Sequence, residues 1–207
     1  MSQLKKHWEN IYKTKNHKEV GWYQASPTAS LMLLSKINAK PTQSIIDVGC
    51  GASVLVDKLI QQKYRNISLL DLSEEALSSI KSRLADEGEI PHYLSDDITK
   101  KITFNHSFDI WHDRAVFHFL TNAKDRKNYM ENLNQNLSPS GYAIIGTFSL
   151  NGPLKCSGLD VVQYDENRIK RELPKTLELL ESTISTHIMP SGAEQEYMYF
   201  IIKHKNA

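Results

Sequence analysis

Two spacings of apolar residues divide the chain. Short runs rich in Ile, Val and Leu recur at Ser44–Val48, Ile67–Asp71, Pro91–Leu94 and Tyr142–Phe148, and another starts at Phe108. Runs of this length bounded by turn residues read as buried strands. Val54–Ile60, the stretch from Ser73 to Leu84, and Asp125–Leu137 instead read as helices. Ser73 followed by Glu74 and Glu75 is a capping-box-like start for the second of these. Strands that alternate with helices predict an α/β domain. The last third reads differently. A helix is expected at Asp165–Leu173, then two strands, Leu177–Met189 and Glu196–Lys205, joined by the Pro190–Ala193 turn. So short a connection implies an antiparallel hairpin.

Ahead of the first strand, Trp8, Ile11 and Tyr12 stand at i, i+3, i+4, one face of a short helix. Lys13 to Glu19 is polar and reads as a loop. Ser26-Pro27 starts a second helix whose stripe, Leu31, Leu34 and Ile37, runs up to Pro41. Between these helices lie Trp22 and Tyr23, either packing of an N-terminal layer on the sheet or a lid over a ligand.

Two stretches carry the chemistry. In the first, a strand ends at Asp47 and is followed by Gly49-Cys50-Gly51 before a helix begins. Glycines in that place let the chain turn sharply and let a ligand approach the main chain. A lone G-x-G is a weak signal, but Asp71 ends the next strand twenty residues past Gly51. At about that distance an acid grips ribose hydroxyls in dinucleotide folds. Val54 stands where the dinucleotide fingerprint has its third glycine. In the second stretch, Phe108–Leu120 reads as a strand running into a helix with His112, Asp113 and Arg114 at the junction. Ligands of open α/β sheets bind at the carboxyl ends of the strands. His112 and Asp113 are therefore expected to carry substrate-side chemistry, against the rival that Asp113 and Arg114 form an ion pair fixing the junction. His118, among Phe117, Phe119 and Leu120, reads as a core histidine.

Composition narrows the function. With 207 residues and 40% hydrophobic content, one domain is expected. A formal charge of +1 makes no electrostatic case for nucleic acid or a membrane surface. Two cysteines, Cys50 and Cys156, fit a reducing compartment. No apolar segment follows Lys5-Lys6, and no apolar run is long enough for a membrane span, so a cytoplasmic protein is expected. Ser149–Leu159 is a long loop of the kind that carries function. It contains Cys156, which lacks any neighbour in sequence that would activate it.

Asp47-x-Gly49-x-Gly51 resembles motif I of the class I S-adenosylmethionine-dependent methyltransferases. Trp8-Glu9-Asn10-Ile11-Tyr12 resembles the W-[DE]-x-x-Y opening of one branch of that family, and Leu137-Ser138-Pro139-Ser140-Gly141 its turn before strand five. The resemblance implies a doubly wound, mostly parallel seven-stranded sheet of order 3-2-1-4-5-7-6 with strand seven antiparallel and helices on both faces. It implies an N-terminal helical lid over residues 1–40 and a Rossmann-like core over 41–207. S-adenosylmethionine is the implied cofactor, with S-adenosylhomocysteine as product. The implied cofactor residues are Asp47, Gly49, Cys50 and Gly51 in the turn, Asp71 and Leu72 at the ribose, and Asp97 with Ile98 at the adenine, with Trp22 and Tyr23 as cover. Asp96 is the alternative to Asp97. No metal is implied.

In seven-stranded lysine methyltransferases the junction after strand four reads D-K-G, and here it is Asp113-Arg114-Ala115. The [DNS]-P-P-[YFW] motif of nucleic-acid methyltransferases is absent. A small-molecule acceptor is therefore expected, with a protein lysine as the alternative acceptor. A nicotinamide-dependent enzyme and a non-enzymatic cofactor-binding partner protein are the other classes.

Overall fold

The computed structural model describes residues 2–88 and 91–205. Helix α1 (Gln3–Thr14) is capped by Ser2, whose Oγ accepts the Lys5 N–H, and α2 (Thr28–Lys36) follows Pro27. The core then alternates: β1 (Ile45–Val48), α3 (Leu55–Gln61), β2 (Ile67–Asp71), α4 (Glu74–Arg83), β3 (Pro91–Ser95), β4 (Phe108–Arg114), α5 (Ala123–Asn136) and β5 (Leu137–Phe148). A two-stranded ribbon, β6 (Lys155–Cys156) and β7 (Leu159–Asp160), folds the long loop. Helix α6 (Glu166–Glu172) and the strands β8 (Leu177–Ile188) and β9 (Glu194–His204) complete the chain.

The main sheet has the order β3-β2-β1-β4-β5-β9-β8, with β9 antiparallel to both neighbours. Numbering only its own strands, this is the expected 3-2-1-4-5-7-6. All residues of β1 and β2 are buried, as parallel strands covered on both faces must be. Side-chain alternation divides the core in two. Ile45, Ile110 and Ile144 pack with Leu33 of α2 and Leu55 and Leu59 of α3. Ile46, Trp111 and Ile145 face the other way, onto Tyr129, Met130 and Leu133 of α5. The strand order reverses between β1 and β4, and a crevice opens there at the carboxyl ends of the strands.

Two local expectations are corrected. Strand β4 does not run straight into a helix: Ala115 kinks the chain at φ +74°, one 3-10 turn spans Phe117–Phe119, and α5 starts only at Ala123. Strand β5 starts at Leu137, directly after α5, with a register shift opposite Phe108 and Ile110 before regular pairing begins at Tyr142.

Candidate functional site

Two adjoining cavities occupy the crevice. The larger, about 810 Å³ with its open mouth, is lined by Gly49, Leu70, Asp71, Leu72, Asp96, Asp97, Ile98 and Val116, among others. Of the glycine turn, Gly49 lines it. The N–H groups of Gly49 and Cys50 both donate to the Leu70 carbonyl, at 2.6 and 3.1 Å, which fastens the turn to β2. Gly49 and Gly51 have φ +63° and +52°, a region other residues enter at a cost. The turn also binds the acid of β2: Gly51 N–H donates to Asp71 Oδ2 at 2.7 Å and Ser73 N–H to Oδ1 at 2.8 Å. Burial pushes the Asp71 carboxyl up to about 6 despite these two bonds. Each carboxylate oxygen keeps a further lone pair. Beyond β3, the Asp97 carboxylate accepts the N–H and hydroxyl of Thr99, and Asp96 accepts the Asp97 N–H.

The N-terminal segment closes this cavity. Leu4, Trp8 and Tyr12 of α1 form one wall together with Trp22. Trp8 meets Trp22 and Phe119 edge to face, with centroids 5.7 and 5.2 Å apart. Glu9 anchors α1: its carboxylate accepts the Ser73 hydroxyl and the Glu74 and Glu75 N–H groups, at 2.9, 2.9 and 3.2 Å. Those N–H groups belong to the open first turn of α4, where an acid is favoured. A side chain 64 to 66 residues away thus caps the helix that follows Asp71.

The smaller cavity shares Tyr12, Trp22, Gly49 and Arg114 with the larger and adds Tyr23, Ser30, Asp47, Cys50, Gly51 and His112. Parallel pairing sets Asp47 beside His112, and His112 Nδ1 lies 2.6 Å from Asp47 Oδ1. On its other side His112 Nε2 is 2.8 Å from Ser30 Oγ of α2. If Nδ1–H donates to Asp47, Nε2 is the basic nitrogen and Ser30 its donor. Arg114, two residues along the same face, lines both cavities. The Cys50 thiol is raised by burial, then by Asp71 and Asp47, so it stays protonated.

Asp113 is not brought to either cavity. Its fully buried carboxylate lies on the opposite face of β4, where it accepts the Val116 and Phe117 N–H groups at 2.9 and 3.1 Å and the Tyr129 hydroxyl at 2.7 Å. Strand alternation separates it from His112, so the substrate-side role expected of Asp113 does not fit its position. Nor does it pair with Arg114, which donates to the Tyr199 hydroxyl and the Trp22 carbonyl instead. His118 is a core residue: its Nδ1 accepts the Phe148 N–H, and burial, with Arg114 adding to it, lowers its pKa to about 3. Cys156 lines the larger cavity, but burial pushes its thiol up to about 11 against the pull of Arg114, leaving no thiolate at neutral pH. Sequence reasoning missed Ser30 and the cap made by Glu9, since both act across the fold.

Among the described residues no cluster of His, Cys, Asp and Glu could hold a metal ion. Comparison with known proteins gives a consistent picture. A family model described as a methyltransferase domain matches residues 39–204. The chain is 25% identical over 125 residues to the bovine eEF1A lysine and N-terminal methyltransferase, covering 60% of this chain and 18% of that protein. It is 25% identical over 120 residues to the ubiquinone biosynthesis O-methyltransferase of Rickettsia canadensis, covering 58% of this chain and 49% of that one. The chain thus spans less than a fifth of the first relative and about half of the second. Among solved structures, a SAM-dependent methyltransferase from Anabaena variabilis superposes with TM-score 0.78 at 16% identity, over 99% of this chain and 96% of that one. A Burkholderia thailandensis 1,6-didemethyltoxoflavin-N1-methyltransferase, solved with S-adenosylhomocysteine, gives 0.75 at 15% identity, over 98% and 88%.

Proposed function

Since the chain belongs to the methyltransferase-domain family, we propose that it is an enzyme that transfers a methyl group from S-adenosylmethionine to a small-molecule acceptor. The observation that carries this reading is the larger cavity, where Gly49 at positive φ, the acid that ends β2 and the acids after β3 face one space. That lining suits the cofactor: Asp71 would accept from the ribose hydroxyls and Asp97 from the adenine amino group. Leu72, Ile98 and Val116 supply apolar walls, and Asp47, Gly49, Cys50 and Gly51 border the methionine end. Bound S-adenosylmethionine supplies an electrophilic methyl whose leaving group, a neutral thioether, needs no acid.

The protein's own work is then orientation and proton removal. His112, held by Asp47 and Ser30, is the group suited to accept a proton from the acceptor, with Ser30 passing it on. Asp113 fixes the turn that carries Val116. We read residues 1–207 as one domain, 1–40 being a lid in which the W-[DE]-x-x-Y segment covers the cofactor through Trp8 and Tyr12. Tyr23 covers the smaller cavity and Trp22 both. The two free cysteines favour a cytoplasmic setting. No described helix is long and apolar enough to cross a membrane.

Thermal shift against S-adenosylmethionine, S-adenosylhomocysteine and NAD tests the cofactor. Ligands at 100 times their dissociation constant add about 2.7 kcal/mol, several degrees of melting temperature. Stabilisation by the two adenosyl ligands alone is expected, and a response to NAD alone would refute it. Asp71→Ala is expected to weaken S-adenosylhomocysteine by about 1–3 kcal/mol. In the wild type, affinity should fall as pH drops below about 6, where the Asp71 carboxylate takes up its proton and can no longer accept at both oxygens. Unchanged affinity by titration calorimetry would reject the ribose role.

Two other readings make different predictions. The lysine methyltransferase relative favours a protein acceptor. A partner protein without turnover would bind the cofactor and methylate nothing. His112→Ala separates catalysis from binding: turnover is expected to drop about 100-fold or more, with little change in cofactor affinity. Equal losses in turnover and melting temperature would make His112 a structural residue.

A further inference from the structure

One charged group at the cavities has no role in the scheme above. The Arg114 side chain leaves the end of β4 and lines both cavities. Its Nε donates to the Tyr199 hydroxyl at 3.2 Å, its Nη1 to the Trp22 carbonyl at 3.0 Å, and its guanidinium carbon lies 4.6 Å above the Tyr197 ring. Its Nη2 is sealed from solvent and has no acceptor. None of the ion pairs among the described residues involves it. Arg114 stays protonated, as a guanidinium does in proteins.

A cation without a counter-charge and with a sealed, unpaired donor is costly, and a ligand anion would remove that cost. Where the anion comes from follows from the sheet order. Of the acids read as holding the nucleoside, Asp71 ends β2 and Asp97 follows β3, both on one side of β1. Arg114 is held from the other side, by Tyr197 and Tyr199 of β9, and besides the larger cavity it lines the smaller one, which Asp71 and Asp97 do not reach. Tyr12, Trp22 and Tyr23 give that smaller cavity aromatic surface.

We propose that Arg114 binds an anionic oxygen of the methyl acceptor, so that the acceptor is a small, preferentially aromatic, carboxylic acid. This rests on the methyltransferase reading of the site. Arg114 is thus a specificity-determining residue.

The test uses wild-type protein, Arg114→Gln and Arg114→Lys, each checked by its melting curve. Calorimetry first measures S-adenosylhomocysteine and 5′-methylthioadenosine, which lacks the amino-acid group. With the protein saturated in S-adenosylhomocysteine, ligand-observed NMR then compares benzoate, phenylacetate and cinnamate with their amides. At least one acid is expected to bind tenfold or more tightly than its amide. That preference should vanish in Arg114→Gln and survive in part in Arg114→Lys, while S-adenosylhomocysteine affinity changes less than twofold. Acids that bind no better than amides would overturn the proposal. So would a tenfold loss of S-adenosylhomocysteine in Arg114→Gln with 5′-methylthioadenosine unaffected, since the guanidinium would then serve the cofactor's own carboxylate. Wild-type protein that fails to bind S-adenosylhomocysteine would instead refute the methyltransferase reading, and this inference with it.

Discussion

Gly49→Ala is expected to abolish measurable cofactor binding, a loss of at least about 100-fold, or 2.7 kcal/mol. Two costs coincide at this residue. Its φ of +63° is a conformation that charges an alanine about 1–2 kcal/mol. The added Cβ would also lie 1.9 Å from Val116 Cγ2, far inside contact distance. Val116 cannot give way freely, because its N–H is held by Asp113 and it follows the strained Ala115. Overpacking of this kind costs about 1–3 kcal/mol more. Whichever side yields, the wall between the glycine turn and the strand-four junction moves, and that wall faces the larger cavity. Gly51→Ala provides the contrast. Its Cβ would meet the Tyr12 hydroxyl at 2.3 Å, the far end of a side chain on α1, so the injury should be milder. Titration of both variants with S-adenosylhomocysteine checks the ranking, and wild-type affinity in Gly49→Ala would contradict it.

Asp113→Ala should injure stability. The carboxylate is the sole hydrogen-bond partner found for the Val116 and Phe117 N–H groups on leaving β4, and it also takes the Tyr129 hydroxyl, which in turn accepts the Trp111 indole N–H. Truncation strands buried donors at about 1–3 kcal/mol each, partly offset by relief of a buried charge. A net loss of about 3 kcal/mol is expected, or roughly 6–12 °C in melting temperature for a chain of this size. Asp113→Asn keeps one acceptor oxygen and should lose about half as much. The sign of the pH dependence distinguishes this carboxylate from an ordinary surface one. Burial raises it to about 6, so between pH 4 and 6 the folded state holds a proton that the unfolded state has released. Stability from this group therefore falls as pH rises through that window. Asp113→Asn lacks that component, which urea titrations at pH 4.5 and 7 would reveal. Full stability with abolished turnover would return Asp113 to the chemistry.

Much of the fold was legible because the local signals agreed. The β2 boundaries, the Ser73 cap and the final hairpin follow from runs, caps and turn residues that act within a few positions. The exit from β4 was not legible: a positive φ usually marks a glycine, and Ala115 gives no such sign. Which of His112 and Asp113 faces the crevice was hidden for another reason. Both faces of β4 are buried, so its polar residues show no inside-outside alternation from which to set the phase. The turn residues Asp47, Gly49 and Gly51 were readable because one short segment places them all. Ser30 and Glu9 reach their partners across 82 and about 65 residues, and no pattern along the chain encodes a pairing of that span.

The anchorage of α1 bears on timing. The wall that Leu4, Trp8 and Tyr12 give the larger cavity is fastened to the first turn of α4 by the Glu9 carboxylate, with a second tie from Lys5 to Glu74 at 2.7 Å. If residues 1–40 act as the proposed lid, a spent cofactor beneath that wall leaves once these bonds open, an event of the microsecond-to-millisecond class in enzymes with lids. Where that opening sets the pace of the proposed reaction, its speed is tuned at Glu9, which lines neither cavity, without altering what is methylated.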